Sequence, residues 1–311
     1  MQNPVINRRA LLTGLGLGAT SLALSACGSS GENALGSSGS SQATGSLIIG
    51  SADFTESQII AEIYAAALKA RGYEAQTQPA IGAREAYLGA LTEGSISLVP
   101  DYSGNLLLYF DAQATASSAQ EVLEALPAAL PADLKALAAS PAENKDSLVV
   151  TEATASQHGL KSLEDLAALS GQLSLGAPPE FAERAYGLPG LKELYSFTPS
   201  SFEPINDGAG PLTVAALADG KVDIADLFST DPALEANSFV VLEDPKNMIL
   251  PQQVLPLINV DKVSEEAQAV LNEVSALITT QVLIDLNKRV SGDEKASAAQ
   301  AAGDWVSANF N

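Results

Sequence analysis

The chain has 311 residues, of which 46% are hydrophobic and 17% charged. That is enough for a large core and excludes a disordered chain, and at ~150 residues per domain the length points to about two globular units. Sixteen Lys and Arg stand against 37 Asp and Glu, a formal net charge of −21, so a phosphate backbone is repelled and nucleic acid is excluded as a partner. With one Cys and one His there is no disulfide, no CxxC zinc site and no Cys/His dyad, and a Ser-His-Asp triad would have to run through His158. Neither a metal nor a cofactor is expected.

Arg8 and Arg9 precede an uncharged, mostly apolar run from Ala10 to Ala26. It is too short for a ~20-residue membrane span but matches the apolar region of a signal peptide. The run ends Leu24-Ser25-Ala26-Cys27, which resembles the bacterial lipobox, where Cys27 becomes the acylated first residue after removal of residues 1–26. Asn7-Arg8-Arg9-Ala10-Leu11-Leu12 also resembles a twin-arginine signal, so both export routes stay open. Gly14 to Ala19 imitates a dinucleotide GxGxxA, but it follows no strand and lies in the removed segment. From Gly28 to Ser46, 12 of 19 residues are Gly or Ser. Residues 27–45 are therefore read as an acylated Cys and a flexible tether with a reach of ~25 Å. Loss of Arg8 and Arg9 takes the charge from −21 to −23, a poor match for an anionic lipid surface. The acyl chains must do the holding, at ~0.8 kcal/mol per buried methylene. The expected location is the extracytoplasmic face of the cell membrane.

The body begins with a short apolar strand, Ser46 to Gly50. Thr55-Glu56-Ser57-Gln58 reads as a capping box, Thr55 capping a helix and Gln58 reaching back. Ile59, Ile63, Ala66 and Ala67 fall on one face of that helix, and Arg71-Gly72 closes it. Tyr73 to Gln78 is the next strand, Ala83 to Glu93 the next helix and Ile96 to Val99 the next strand. The alternation predicts an α/β fold with crossovers and a mostly parallel sheet. Ser117 to Leu137 reads as an Ala/Leu-rich helix, His158 as a surface residue in a turn before a helix, and Ala296 to Asn309 as a C-terminal helix docked through Trp305.

An internal repeat carries more information. Ala90 to Gly104 aligns without gaps on Ala216 to Thr230, with four identities and four conservative pairs. Each copy is a helix end, a glycine (Gly94 or Gly220), a short strand and an aromatic-Ser pair, Tyr102-Ser103 or Phe228-Ser229. Open α/β sheets bind ligands beyond the carboxyl ends of their strands, so the repeat places one aromatic per lobe beside a cleft between two similar lobes.

Ser51 to Ile60, Gly82-Ala83-Arg84-Glu85 and Pro100 to Gly104 resemble, in order and spacing, the successive motifs of substrate-binding proteins of osmoprotectant ABC transporters, the glycine betaine/carnitine/choline-binding family. Gly176 to Phe181, Gly187 to Leu191, Gly210 to Val214, Phe228 to Asp231 and Val241 to Pro245 continue the resemblance, which spans roughly residues 46–260. It implies a two-lobed periplasmic-binding-protein fold of type II, a hinge closure on a small solute, and docking on a transmembrane permease with its ATPase. It also implies that one lobe contains both ends of the body. The crossings are placed near Asp146–Val150 and Leu242–Pro251, giving lobe one as 46–145 with 250–311 and lobe two as 146–249.

A quaternary ammonium has a diffuse charge and no donor, so aromatic faces grip it at ~0.5–2 kcal/mol each. Tyr102 and Phe228 fit that role across the cleft, with Phe181 as a third candidate. Thr55 and Glu56 would form one wall, and Arg84 is either a partner for an anionic group or a solvated first-turn residue. Positions where other members of the family carry further tyrosines are read as Ser147 and Gln252, leaving two or three aromatics. Such a pocket suits a loosely held quaternary ammonium or a more polar solute bonded by Gln252, Thr230 and Asp231. Acidic Glu56, Asp101, Glu180 and Asp231 near these motifs favour a cation. Two rival classes are an exported hydrolase using paired carboxylates such as Asp223 and Asp226, and a lipoprotein that senses a solute without transporting it.

Overall fold

The computed structural model describes residues 45–310, so the signal segment, Cys27 and nearly all of the tether lie outside the described residues. In chain order the first elements are β1 (Leu47–Gly50), α1 (Thr55–Ala70), β2 (Ala75–Gln78), α2 (Arg84–Thr92), β3 (Leu98–Tyr102), α3 (Ser103–Phe110), α4 (Ala119–Ala129) and β4 (Leu134–Ala136). There follow β5 (Asp146–Val150), α5 (Glu152–His158), β6 (Leu175–Ala177), α6 (Leu188–Tyr195), β7 (Phe202–Pro204), α7 (Pro211–Ala218), β8 (Ile224–Phe228), α8 (Ala233–Ala236) and β9 (Val240–Val241). The chain ends with β10 (Val254–Asn259), α9 (Glu265–Ser275), α10 (Thr280–Ser291) and α11 (Ala298–Asn309). Two five-stranded sheets result, ordered β2-β1-β3-β10-β4 and β7-β6-β8-β5-β9, one in each lobe.

Each sheet is half parallel rather than mostly so. β10 runs antiparallel to β3 and β4, and β5 antiparallel to β8 and β9. These are the strands by which the chain enters the second sheet and returns to the first, so they arrive from the opposite direction to the βαβ crossovers. The repeat holds at atomic level: β3 and β8 are separated by the same offset as the aligned segments, and each is the middle strand of its sheet. The preceding helices turn through Gly94 and Gly220, both in the left-handed region at φ 75° and 67°, where an L side chain is strained.

α1 buries Ile59, Ile60, Ile63, Tyr64, Ala67 and Leu68 completely. It lies in a core shared with α9, α10 and α11, against which Trp305 packs partly buried. Each such aliphatic contributes ~1.5–3 kcal/mol. α2, α3 and α4 cover the other face of the first sheet, and two further clusters line the faces of the second.

Two local expectations are corrected. α4 ends at Ala129 and Leu134–Ala136 is a strand, because Pro131 follows the helix and the chain there has β10 as an edge to pair with. Thr55 is the first helical residue of α1 and not its cap: Phe54 holds the cap position without a side-chain bond, the Ser57 hydroxyl accepts the Ala52 N–H at 3.0 Å, and Gln58 Nε2 donates to the Asp53 carbonyl. His158 ends α5, partly buried, ahead of left-handed Gly159 and a 3-10 turn at Leu163–Leu169. Among the described residues no single helix is long and apolar enough to cross a membrane.

Candidate ligand site between the lobes

A cavity of about 80 Å³ lies where the carboxyl ends of β3 and β8 meet. One water needs roughly 10–15 Å³, so there is room for a small solute. Six aromatic side chains line it: Phe54, Tyr87 and Tyr102 from the first lobe, Phe181, Tyr186 and Phe228 from the second. Phe54 stands between the two strand-end aromatics, its ring centroid 5.9 Å from Tyr102 and 4.8 Å from Phe228. Tyr102 and Phe228 therefore meet through Phe54 rather than face each other directly. Phe181 packs edge-on against Tyr186 at 6.4 Å. Five of the six rings are thus held by one another, and Tyr87 by its hydroxyl on Asp101, which fixes their faces before a ligand arrives.

This corrects the expectation of two or three aromatics. The strand ends account for Tyr102 and Phe228; the others come from the residue ahead of α1 (Phe54), from α2 (Tyr87), from the Pro179–Ala182 turn (Phe181) and from the loop after it (Tyr186). Ser147 and Gln252 do not line the cavity. Gln252 is fully buried and spends its amide on Asn105, accepting the backbone N–H at 3.0 Å and donating to the side chain at 2.6 Å.

Of the other residues singled out from the sequence, Arg84 lines the cavity, whereas Thr55, Glu56 and Thr230 lie outside its lining. Glu56 is 3% exposed and serves as a hub instead: it accepts from Tyr102 Oη at 2.8 Å, Asn144 Nδ2 at 2.7 Å, Asn287 Nδ2 at 2.8 Å and the Thr230 hydroxyl. Burial pushes its carboxyl up while these donors pull it down. The hub ties the start of α1 to β3, to the segment entering the second lobe and to α10. Thr230 is consumed there, so it is not available to a solute.

Arg84 is neither solvated nor free. Its guanidinium grips the fully buried Asp101 at 2.8 Å, and Tyr87 Oη donates to the same carboxylate at 3.0 Å. A second cation, Arg184, bridges the lobes to Glu85 on α2 at 2.7 Å and lies 5.9 Å from the ring of Tyr109. Both arginines have carboxylate partners, but the acids remaining on the lining, Asp53, Asp146, Glu180 and Asp226, form no ion pair among the described residues. The cavity is aromatic in its walls and acidic in its balance.

Asp146 and Asp226 were missed as a pair. Asp146 is the first residue of β5, and Asp226 lies on β8 two residues before Phe228, on the same face. Burial in the second lobe raises both carboxyls above the ordinary Asp range, and the neighbouring Asp146 charge pushes Asp226 up further. Asp223, the other acid of the hydrolase alternative, instead accepts the Ser174 hydroxyl at 2.7 Å and is not on the lining.

The family model described as "Substrate binding domain of ABC-type glycine betaine transport system" matches residues 45–308. The chain belongs to this family. A relative, the glycine betaine-binding protein YehZ of Escherichia coli K12, is 26% identical over 278 residues, covering 85% of this chain and 91% of that protein. The solved structure of apo YehZ superposes with a TM-score of 0.59 at 25% identity, covering 85% of this chain and 98% of the other. A crystal structure of a glycine betaine/carnitine/choline ABC transporter protein gives a TM-score of 0.67 at 22% identity, with 84% and 98% coverage. The family is one of solute receptors, and the two-lobed binding-protein fold is common to these structures.

Proposed function

We propose that this chain is the extracytoplasmic solute receptor of an ABC importer, that its cleft takes a small quaternary ammonium solute such as choline, carnitine or glycine betaine, and that it hands this cargo to a permease driven by an ATPase. The observation that carries the reading is the ring-lined cavity between the lobes, in which Phe54 stands within 5.9 Å of both Tyr102 and Phe228 and acids without an ion-pair partner among the described residues supply a negative field. A methylated ammonium is held by such faces at ~0.5–2 kcal/mol each, with no donor required of it. The chain performs binding and no turnover in this reading.

The same reading keeps residues 1–26 as signal peptide, Cys27 as the lipidation site and residues 27–45 as the acylated tether. It divides the body into lobe one, 46–145 with 250–311, and lobe two, 146–249. Support for the division comes from the strand membership of the two sheets, whose changeovers fall between β4 and β5 and between β9 and β10. Calorimetric titration with glycine betaine, choline and carnitine tests the cargo: saturable binding that weakens about tenfold or more in Phe228→Ala and Tyr102→Ala is expected. Absence of binding across all three overturns it.

A further inference from the structure

The two copies of the repeat differ at the cavity. In the first sheet β3 presents Pro100, and β10 presents Val254 opposite Tyr102. In the second, the equivalent positions hold Asp226 on β8 and Asp146 opposite Phe228 on β5. The deeper positions of this face, Leu148, Val150 and Ile224, are apolar core, so the two carboxyls cap a hydrophobic wall exactly where it opens to the ligand space. Asp226 is 1% exposed, and its Oδ1 has no hydrogen-bond partner among the described residues. Asp146 Oδ2 accepts from Asn105 Nδ2 of the first lobe at 2.8 Å. A buried acceptor left without a donor is costly, and a carboxylate more so. Nothing in a packing role explains two acids here, since a Pro and a Val serve in the other lobe.

Resting on the receptor reading above, we propose that Asp146 and Asp226 form a proton-sharing pair that makes the cleft select a small cation carrying an O–H or N–H donor near its charge over a zwitterion that has none, and that such a cation displaces the shared proton. The balance is simple: the free pair holds one proton between two carboxylates, the bound ligand donates its own hydrogen bond to Asp226 and brings one positive charge, and the proton leaves to solvent. Two carboxyls in one low-dielectric site titrate as a unit. The groups facing them are Arg84 from α2, already held by Asp101; Glu180 from the Pro179–Ala182 turn; and Tyr186 and Arg184 from the following loop, the latter held by Glu85. Glu180 adds to the negative field and the two arginines are matched, so a positive charge is required of the ligand. Aromatic faces alone do not distinguish choline from glycine betaine; the pair does, because only choline has a hydroxyl to donate.

The test is titration of the purified full-length chain with choline and with glycine betaine at about pH 6 in two buffers of different ionisation enthalpy, which reads proton release directly. Choline is expected to bind at least about tenfold tighter than glycine betaine, with release of a fraction of a proton that betaine does not cause. Asp226→Asn abolishes the release and shrinks the choline-to-betaine ratio by about tenfold. Glycine betaine binding as tightly as choline, or a ratio unchanged in Asp226→Asn, overturns the pair's role while leaving the receptor reading intact. Binding of neither overturns both. Proton release is measured on the unmodified chain, so a folding defect in the variant does not decide the matter.

Discussion

The Arg184–Glu85 bridge joins the two lobes beside the cavity and invites a direct perturbation. Arg184 Nη2 lies 2.7 Å and 2.9 Å from the two Glu85 oxygens. Glu85 is 55% exposed on its side chain, against 14% for Arg184, so water screens the pair and its value is ~0.5–1 kcal/mol. The Tyr109 ring at 5.9 Å is near the limit of cation–π attraction and adds ~0.5 kcal/mol. If the contact forms only when the lobes are together, its loss lowers the closed, binding-competent fraction, and the apparent affinity falls in proportion. At 1.4 kcal/mol per factor of ten, Glu85→Gln should weaken ligand binding about 2- to 5-fold, and Arg184→Ala about 5- to 10-fold. Calorimetric titration at low salt and at about 0.5 M salt is the assay, and the difference between wild type and Glu85→Gln should narrow at high salt. The melting temperature of Glu85→Gln should stay within about a degree, because the residue is exposed and anchors no core. Unchanged affinity, or a lowered melting temperature with unchanged affinity, refutes the reasoning.

Three more outcomes are expected. Glu56→Gln turns an amide nitrogen toward donors, so roughly 2 kcal/mol and about 4–8 °C of melting temperature should be lost by calorimetry. Asp226 has a folded-state pKa raised by burial and by Asp146, so the folded protein holds more protons than the unfolded one above the ordinary Asp value. Stability without ligand should then fall as pH rises through that window, by up to ~1.4 kcal/mol per pH unit, and Asp226→Asn should melt higher than wild type at neutral pH but not at acid pH. A Cβ on Gly187 would sit 1.8 Å from the Phe181 carbonyl oxygen, so Gly187→Ala must displace the turn carrying that ring, and affinity should drop about tenfold or more.

Legibility of the sequence divides along physical lines. The repeat was visible because helix, left-handed glycine and strand are consecutive, and it placed Tyr102 and Phe228 at the strand ends where they are found. Local signals failed where a nonlocal partner decided the outcome. Leu134–Ala136 is a strand because β10, over a hundred residues later, pairs with it. Glu56 and Thr230 sit in motifs beside the cavity, yet their polar atoms are spent on each other and on Asn144 and Asn287, which no spacing announces. Asp146 and Asp226 are eighty residues apart and meet only because β5 runs antiparallel to β8, the strand direction opposite to that expected. Phe54 precedes α1 with no local sequence signal of a binding role, and the helix start without a side-chain cap leaves its ring against both Tyr102 and Phe228 at the cavity.

The central claim is that the ring-lined cavity is the binding site of a cationic solute. Equilibrium binding of choline to the full-length chain, compared with Phe54→Ala and Phe228→Ala, addresses it most directly. Saturable binding weakened about tenfold or more in each variant, with melting temperatures near wild type, is the predicted result. Choline binding of equal strength in both variants would place the solute elsewhere and contradict the account.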